Sequence, residues 1–384
     1  MDWSRLRSDR CILACSLTAN VAIFYRIIEV LCVVAAAYQV FAVVAAIVFK
    51  SQRPKAIPQQ APVSILKPVH GVEPAMHKAI ASHASLAGDY EFLCGVRNGD
   101  PAAGLLAEFP KAQVIAVHTR AANPKVGVLV DLARAARNPI LIVNDADIRV
   151  EHDYISRVTA PLADPKTGLV TCLYRVEGST FPARFEGLGI ATDFAPSTLV
   201  ARLVGVDEFA MGSTMAFHRE TLTRIGGFTV IADYLADDYQ LGRRIHNLGM
   251  KCVLSDVVVT THLGGNWRDV WTHQVRWSRT IRVSNFSGYL GLPITFASVW
   301  ALAATAVGSY KIAALTLAAR MFMATVSGLW VVGSRDTLLL WPLIPVRDFF
   351  GMAVWFTGLF GKTVLWRKRR FWLDRNGRIY PPPA

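Results

Sequence analysis

The stretch PILIVNDADIRV, residues 139–150, ends an apolar run in two closely spaced carboxylates. The run at residues 139–143 is typical of a strand buried on both faces of a parallel sheet. Asp145 and Asp147 follow it, with one small residue between them. On a strand, residues two apart point to the same side, so these carboxylates can converge on one hard cation, which also binds diphosphate oxygens. The alternative is a solvated acidic turn, but the position after a buried strand favours the metal site.

Short apolar runs that alternate with helical patterns surround this stretch. Strands are predicted at residues 63–66, 91–96, 113–117, 139–143, 168–174 and 252–260, and helices at residues 73–85, 101–109 and 126–136. This alternation indicates βαβ units and a mostly parallel sheet. Such sheets bind their ligands at the carboxyl ends of the strands, where the two acids follow. The sequence therefore predicts an α/β domain with its site at that edge.

Long apolar segments lie on either side of this domain. Residues 30–49 carry no charge and are about long enough to cross a hydrocarbon core of roughly 30 Å. Residues 290–309 and 312–332 predict two more spans, whereas residues 338–345 and 349–365 are each too short and predict a re-entrant pair. The predicted organisation is an N-terminal segment (1–29), an anchor (30–49), a linker (50–60), the α/β domain (61–287), a membrane region (288–366) and a basic tail (367–384) suited to an anionic membrane surface.

The composition agrees with a membrane protein. Apolar residues make up 53% of the 384 residues and charged residues 18%, against about 25% charged in soluble domains. The net charge of +13 indicates either nucleic-acid binding or positive charge that fixes the cytoplasmic side of a membrane protein. Its clusters at residues 50–55 and 367–370 border apolar segments, which favours membrane placement and no nucleic-acid partner. The six cysteines are scattered and predict neither disulfides nor a zinc site.

Three further segments have two interpretations each. In LADDYQLGRRIHNL, either Asp237 or Asp238 can cap a helix, which this segment alone favours, or act as a general base towards a hydroxyl. In HQVRW, Arg276 can bind phosphate in a bidentate manner and Trp277 offers an apolar face; the alternative is an interfacial helix. Residues 181–211 predict either an interfacial segment that meets a lipid or a pair of core helices.

Six segments in the right order resemble the ceramide glucosyltransferase family, which is family 21 of the glycosyltransferases and similar to the membrane-bound members of family 2. They are ILKPVHGVEP (65–74), NGDPA (98–102), NDADIRV (144–150), MGSTMAFHRETL (211–222), ADDYQLGRRI (236–245) and HQVRW (273–277). The resemblance is to the bacterial branch, close to hopanoid-associated glycosyltransferases. It implies a GT-A fold, α/β and Rossmann-like, between N-terminal and C-terminal transmembrane helices. It also implies an integral protein of the bacterial inner membrane whose catalytic domain faces the cytoplasm.

The resemblance implies roles for individual residues as well. Asp145 and Asp147 would hold the metal, Asp145 would also contact the diphosphate, and Asp238 would be the catalytic base. Arg276 and Trp277 would form a nucleotide-phosphate and acceptor element. Other residues implied in nucleotide or phosphate binding are Lys67, Asp100 and Lys125, and those implied in acceptor binding or support are Asp237, His273 and Gln274.

The implied reaction is transfer of a sugar from a UDP-sugar to a lipid hydroxyl with inversion, as in ceramide glucosylation, with Mg²⁺ or Mn²⁺ as cofactor. The acceptor would be a membrane lipid, ceramide or a hopanoid. Transfer of N-acetylglucosamine to a hopanoid lipid is one alternative. Two alternatives belong to other classes: a Mg²⁺-dependent lipid phosphotransferase or phosphoesterase, which would use the same acids, and a non-enzymatic membrane scaffold.

Overall fold

The computed structural model describes residues 3–52, 59, 61–366 and 369–380, and for residues 3–19 the backbone alone. Most of the predicted linker at residues 50–60, the beginning of the predicted basic tail and the side chains of residues 1–19 lie outside the described residues. The cysteines whose side chains are described, Cys32, Cys94, Cys172 and Cys252, are free and buried.

A seven-stranded sheet in the order β3-β2-β1-β4-β6-β5-β7 forms the centre of the α/β domain. Its strands are β1 (Val63–Pro68), β2 (Tyr90–Arg97), β3 (Ala112–Val117), β4 (Ile140–Val143), β5 (Thr167–Gly178), β6 (Met215–His218) and β7 (Lys251–Leu263). Only β6 runs antiparallel to its neighbours β4 and β5. The mostly parallel sheet is thus confirmed. Because β6 is reversed, its amino end lies at the same edge as the carboxyl ends of the other strands.

Two apolar cores hold the sheet, one on each face. Along β4, Ile140 and Ile142 belong to one core, and Leu141 and Val143 belong to the other. Successive side chains of a strand point to opposite faces, so an unbroken apolar run buries both. The surrounding helices are α2 (Met76–Ala84), α3 (Ala102–Leu106), α4 (Pro124–Ala135), α5 (Tyr154–Thr159), α6 (Phe181–Gly189), α7 (Ala195–Leu203), α8 (Arg219–Arg224), α9 (Asp237–His246) and α10 (Trp267–Ser284).

The first helix is longer than the predicted anchor. Helix α1, Trp3–Ser51, includes a candidate membrane span over Asn20–Ser51. It continues through Arg26 and Glu29 because these charges have partners: Arg26 Nη1 lies 3.0 Å from Glu29 Oε2, and Ser309 Oγ donates to Glu29 Oε1 at 2.5 Å. The second candidate span, Tyr310–Val331, contains α13 (Tyr310–Thr325) and a π-helical turn.

The predicted span at residues 290–309 is not one continuous helix. The chain there forms α11 (Phe286–Gly291), a 3₁₀ turn and α12 (Ala297–Ala306), which together make a pair bent by 55°. Pro293 lies in the turn, and proline removes a backbone donor and breaks a continuous helix. The pair is either a broken span or a re-entrant loop.

The predicted re-entrant pair at residues 338–345 and 349–365 also differs from the structure. A short helix α14 (Asp336–Leu339) and a 3₁₀ turn lead into α15 (Ile344–Leu359), which packs against α10 and α12. Pro345 lies in the first turn of α15, where its missing N–H costs nothing. The second predicted segment therefore begins inside α15 and ends in a strand.

The described residues of the predicted basic tail, 369–380, fold onto the α/β domain. Strands β8 (Thr363–Trp366), β9 (Arg369–Leu373) and β10 (Ile379–Tyr380) form a small antiparallel sheet. Its apolar side chains surround Leu235, whose N–H donates to the carbonyl of Gly377 at 3.1 Å. A sheet with one apolar face needs a partner surface, and here the loop before α9 supplies it.

Candidate active site

The acidic pair lies on a turn, not on a strand. Strand β4 ends at Val143, and the N–H of Ile148 donates to the carbonyl of Asp145 at 3.2 Å. The expected strand alternation therefore does not apply. Lys67, at the end of β1, is fully buried and donates to the carbonyls of Asp145 and Ile148 at 2.9 and 3.1 Å. The buried ammonium of Lys67 thus fixes the turn, and its implied nucleotide contact stays a prediction.

Lys125 occupies the centre of the site. Its Nζ lies 2.8 Å from Asp145 Oδ1 and 2.9 Å from Asp237 Oδ2. Asn123 places it there, because the Asn123 side chain caps α4 and accepts hydrogen bonds from the N–H groups of Lys125 and Val126. The ammonium that the resemblance assigned to nucleotide binding is thus paired with two carboxylates.

Asp237 and Asp238 form the first turn of α9, and neither acts as its N-cap. The N-cap is Ala236, without a side-chain capping bond, so the cap favoured from the segment alone is wrong. The reason is that tertiary contacts engage both side chains: Asp237 forms an ion pair with Lys125, and Asp238 Oδ2 accepts a hydrogen bond from the N–H of Gly212 at 2.9 Å. Burial and the adjacent Asp237 carboxylate raise the pKa of Asp238 to about 6, against the opposing effect of Lys125.

Gly212, just before β6, joins the two acidic segments. A Cβ at this position would lie 2.9 Å from Asp145 Oδ2 and 3.2 Å from Lys125 Nζ. Only glycine lets the backbone approach this closely. Its loop is held by Asn144, which donates to the carbonyl of Ser213 at 2.7 Å. Gly212 belongs to the segment at residues 211–222 that resembles the family, but the sequence did not predict its role. That role depends on the reversed direction of β6, which brings residue 212 to the edge where the acids lie.

Asp147 follows β4 and Asp100 follows β2, so both lie at the same edge of the sheet. Thr261 of β7 donates to Asp147, and burial together with the charge of Asp145 raises the pKa of Asp147. A cavity of about 310 Å³ opens beside it, lined among others by Ser179 and His262. The Asp100 carboxylate accepts from the N–H groups of Gly71 and Ala102 and lies 2.8 Å from His70 Nδ1. Despite burial, these bonds lower the pKa of Asp100. Asp100 thus holds the loop that follows β1.

Helix α10 brings the HQVRW residues to the same site. Burial lowers the pKa of the Arg276 guanidinium, while Glu186, Asp145 and Asp238 favour its charged form. No described residue makes a hydrogen bond or ion pair with this guanidinium. Trp277 packs on His273 and Phe194, with ring centroids 4.6 and 6.1 Å apart. Arg276 is therefore a cation that is available for an anionic ligand.

Glu186 was missed by sequence reasoning. It is 3% exposed, and its Oε1 lies 2.6 Å from His273 Nδ1 and accepts from Gln274 Nε2 at 2.7 Å. Gln274 Oε1 in turn accepts from Arg347 Nη2 at 2.9 Å. His273 and Gln274, two of the three residues implied in acceptor binding or support, thus contact an acid in the stretch at residues 181–211. In that stretch, α6, a π-helical turn and α7 pack against β5 and against α1, α13 and α15, and its predicted contact with a lipid stays a prediction.

The sheet order and a site of acids at its carboxyl edge define the class: this is a GT-A domain with attached membrane helices. A solved mannosyltransferase, PcManGT from Pyrobaculum calidifontis in complex with GDP-Man and Mn²⁺, aligns with 87% of this chain and 99% of its own at a TM-score of 0.52 and 19% identity. Identity this low shows the fold alone.

The family follows from the sequence profile of glycosyl transferase family 21, which matches residues 27–379. The chain belongs to this family. Ceramide glucosyltransferase 3 of Caenorhabditis elegans is 28% identical over 50% of this chain and 44% of its own length. Ceramide glucosyltransferase 1 of the same organism is 30% identical over 35% of this chain and 29% of its own. The chain thus spans less than half the length of these relatives. The bacterial branch and the hopanoid link stay predictions.

Proposed function

We propose that this protein transfers a sugar from a UDP-sugar to the hydroxyl of a membrane lipid, with inversion at the anomeric carbon. The observation that carries the proposal is an acidic cluster whose charge acts on a cation that has no hydrogen-bond or ion-pair partner among the described residues. Lys125 contacts Asp145 and Asp237, and the charges of the same two acids act on the Arg276 guanidinium. Attack by a hydroxyl requires a base, which a carboxylate can supply. Departure of a diphosphate requires a positive charge, which a guanidinium can supply.

Asp145 and Asp147 fit a divalent cation. Asp145 is 40% exposed, and its charge contributes to the raised pKa of Asp147, so the two acids repel each other. A hard dication relieves such repulsion, and carboxylate oxygens are its preferred ligands. Among the described residues, no group of three or more His, Cys, Asp or Glu side chains suits a metal. Asp145 and Asp147 would hold the cation as a pair. When bound, Mg²⁺ or Mn²⁺ neutralises charge on the leaving diphosphate.

Asp238 is the proposed base. It accepts hydrogen bonds from the N–H groups of Gly212 and Tyr239, which orient the carboxylate. Its pKa of about 6 keeps it ionised at neutral pH while leaving it basic enough to accept the proton of an attacking hydroxyl. Arg276 stabilises the diphosphate as its charge develops, and Lys125 holds Asp145 and Asp237 in place.

The lipid acceptor is supported by the placement of the site. Two helices are long and apolar enough to cross a membrane. Residues of α1 and the end of the second candidate span pack against the α6–α7 stretch, which also supplies Glu186 to the site. The names of the two relatives support ceramide and glucose as the acceptor and the sugar. We place the catalytic domain on the cytoplasmic side of the bacterial inner membrane.

Radiolabelled UDP-glucose, incubated with the purified protein, Mn²⁺ and ceramide, tests the proposal. We expect label in the lipid fraction and one UDP released per sugar transferred. Asp238→Asn should lower transfer by about 10²–10⁴-fold, because it removes the base. Asp233→Asn is the matched control: Asp233 lies on the preceding loop and its side chain is exposed. Phosphate release from a lipid phosphate without UDP would favour a phosphotransferase or phosphoesterase, and absence of any turnover would favour a scaffold.

A further inference from the structure

The small sheet β8–β10 has one buried face and one exposed face. The buried face surrounds Leu235 and consists of Val364, Phe371, Leu373 and Ile379. Successive side chains of a strand point to opposite faces, so the residues that alternate with these form a second face. This outer face consists of four exposed residues, Leu365, Arg370, Trp372 and Tyr380.

Pairing between the strands brings the residues of the outer face together. Leu365 lies opposite Arg370, and Trp372 lies opposite Tyr380. Directly opposed side chains of an antiparallel pair are close enough to touch, with Cβ atoms about 5 Å apart. The outer face therefore presents two aromatic rings, an aliphatic side chain and a guanidinium as one patch.

The outer face follows the predicted membrane region in the chain. Helix α15 packs against α12, which belongs to the bent pair, and it ends at Leu359, shortly before β8. Phe356 and Phe360 at this end are exposed, and their ring centroids lie 5.3 Å apart. Aromatic side chains are enriched where a membrane protein meets the interface between hydrocarbon and water. The outer face thus continues an exposed aromatic pair at the end of α15.

The charge of this part of the chain is strongly positive. Residues 362–380 contain seven basic residues and one acid. The acid, Asp374, holds the turn before β10, because its Oδ1 accepts from the N–H of Arg378 at 2.8 Å. Basic side chains attract anionic head groups, and aromatic rings beside them favour a bilayer over a soluble anion. The exposed basic residues described in this part are Lys362, Arg369, Arg370, Arg375 and Arg378.

The buried face of the same sheet holds the segment that precedes the proposed base. The N–H of Leu235 donates to the carbonyl of Gly377 at 3.1 Å, and the N–H of Ile379 donates to the carbonyl of Asp233 at 2.8 Å. Helix α9 begins at Asp237, two residues after Leu235. The position of the sheet and the position of the first turn of α9 are therefore linked by backbone hydrogen bonds.

The sheet is also joined to helix α10, which carries Arg276. Arg279 Nη1 donates to the carbonyl of Thr363 at 2.5 Å, and Arg282 Nη2 donates to the carbonyl of Gly361 at 2.8 Å. One element thus contacts both the segment before the proposed base and the helix that carries Arg276. Because of these contacts, the outer face lies at a fixed distance from the proposed site.

We propose that the outer face of the β8–β10 sheet binds anionic lipid head groups at the bilayer surface, and that the sheet thereby holds the proposed site at the level of the head groups. The sequence predicts only that a basic tail suits an anionic surface. The structure assigns the contact to one face of a folded sheet and links that face to the site. The consequence for the site rests on the proposed lipid acceptor, whose hydroxyl lies in the head-group region.

Hydrogen–deuterium exchange of the full-length protein in nanodiscs tests the surface directly. Exchange is compared between nanodiscs of phosphatidylcholine alone and nanodiscs that also contain phosphatidylglycerol. Exchange at residues 369–380 should be about fivefold slower with phosphatidylglycerol, the effect of one basic residue at an anionic surface. High salt should remove most of this difference, because it screens exposed charges. Equal exchange in both nanodiscs at low salt would overturn the proposal.

A double variant and a matched control locate the contact. Arg370→Glu with Trp372→Ser should lose the effect of phosphatidylglycerol on exchange, and persistence of that effect would contradict the outer face as the binding surface. Arg224→Glu should retain it, because Arg224 is exposed on α8, which follows β6 at the sheet edge opposite the site.

Two further measurements exclude other causes. Exchange at residues 139–143 of β4 reports whether the double variant keeps its fold, and if it does not, the single variant Arg370→Gln should still reduce the effect of phosphatidylglycerol. Soluble glycerol phosphate should leave exchange at residues 369–380 unchanged. Protection by glycerol phosphate equal to that in the nanodisc would contradict a bilayer surface as the partner.

Steady-state transfer measures the consequence for the site. With ceramide in the nanodisc, the double variant should raise the KM for ceramide by about fivefold and leave the KM for UDP-glucose unchanged. A rise of both KM values together would contradict this consequence.

The exchange experiment needs neither donor nor acceptor, so the two proposals fail separately. Exchange that depends on phosphatidylglycerol, without transfer from UDP-glucose, would contradict the proposed reaction and support the binding surface. Transfer to ceramide with exchange that is indifferent to phosphatidylglycerol would support the reaction and contradict the surface.

Discussion

Two clusters of buried charge lie in this molecule, and they differ in balance and in access. The Lys125 cluster consists of Lys125, Asp145, Asp237 and Asp238, three acids around one cation. The Arg320 cluster consists of Arg320, Arg347, Asp193 and Asp348, with two cations and two acids. Asp145 is 40% exposed, whereas the Arg320 and Asp348 side chains are 0% exposed.

The difference separates a site from a structural pairing. Arg320 satisfies its donors within the protein, on Asp348, Asp193 and the carbonyl of Thr192. Buried charge in a membrane region is tolerated only with such pairing. The Lys125 cluster has excess negative charge and an exposed carboxylate, and its acids act on Arg276, for which the described part of the chain supplies no ion-pair partner. Because this charge is unbalanced and accessible, a bound metal cation and an anionic ligand can neutralise it.

The largest expected effect comes from breaking the balanced cluster. Arg320→Leu would remove the cation that contacts Asp348 and leave Asp193 with Arg347 Nε at 3.7 Å; loss of a partner from a buried ion pair destabilises a fold by about 3–5 kcal/mol. We expect a lower unfolding temperature in detergent and a loss of folded protein. Arg335→Leu is the control, because Arg335 is exposed. The double variant Arg320→Leu with Asp348→Leu should recover part of the stability, and equal stability of single variant and wild type would contradict the assigned role.

The next effect is on geometry within the Lys125 cluster. Gly212→Ala would place a methyl group 2.9 Å from Asp145 Oδ2 and displace that carboxylate. Misplacement by about 1 Å can cost roughly 10²-fold in rate, so we expect kcat/KM for transfer to fall on that order while the unfolding temperature changes little. Gly104→Ala is matched, because nothing lies within 4 Å of a Cβ there. Wild-type kcat/KM in Gly212→Ala would show that the cluster tolerates displacement.

The smallest expected effect is a dependence of the transfer rate on pH. The stability that the Arg320 cluster contributes should not change over the same pH range. Asp238 has its pKa raised to about 6, and the base acts only when ionised. Transfer should therefore rise with pH through about 6 and level off above it, falling roughly tenfold per pH unit well below that value. Protein stability measured over the same range serves as the control. A rate that stays constant from pH 5 to 8 would contradict Asp238 as the base.

Several parts of the fold and the site were predictable because they depend on local pattern. The apolar run before Asp145 predicted that β4 is buried on both faces, and the alternation of strands with helices predicted the parallel sheet. The family profile confirms the resemblance seen in six short segments. Strand β6 was missed because its four residues are too short to show a period. The bend at Pro293 and the sheet formed by the tail were missed because hydropathy alone does not locate a break or a docking surface.

By itself, the sequence determined which residue types meet at one edge of a sheet, since strand direction and the position of acids after a strand are local properties. Only the tertiary structure decided what each residue does there. Lys67 is buried under the acidic turn, Lys125 is paired with two acids, and Arg276 is unpaired, although all three are cations near the same carboxylates. The physical reason is that access and charge balance depend on how distant segments pack, which no spacing along the chain records.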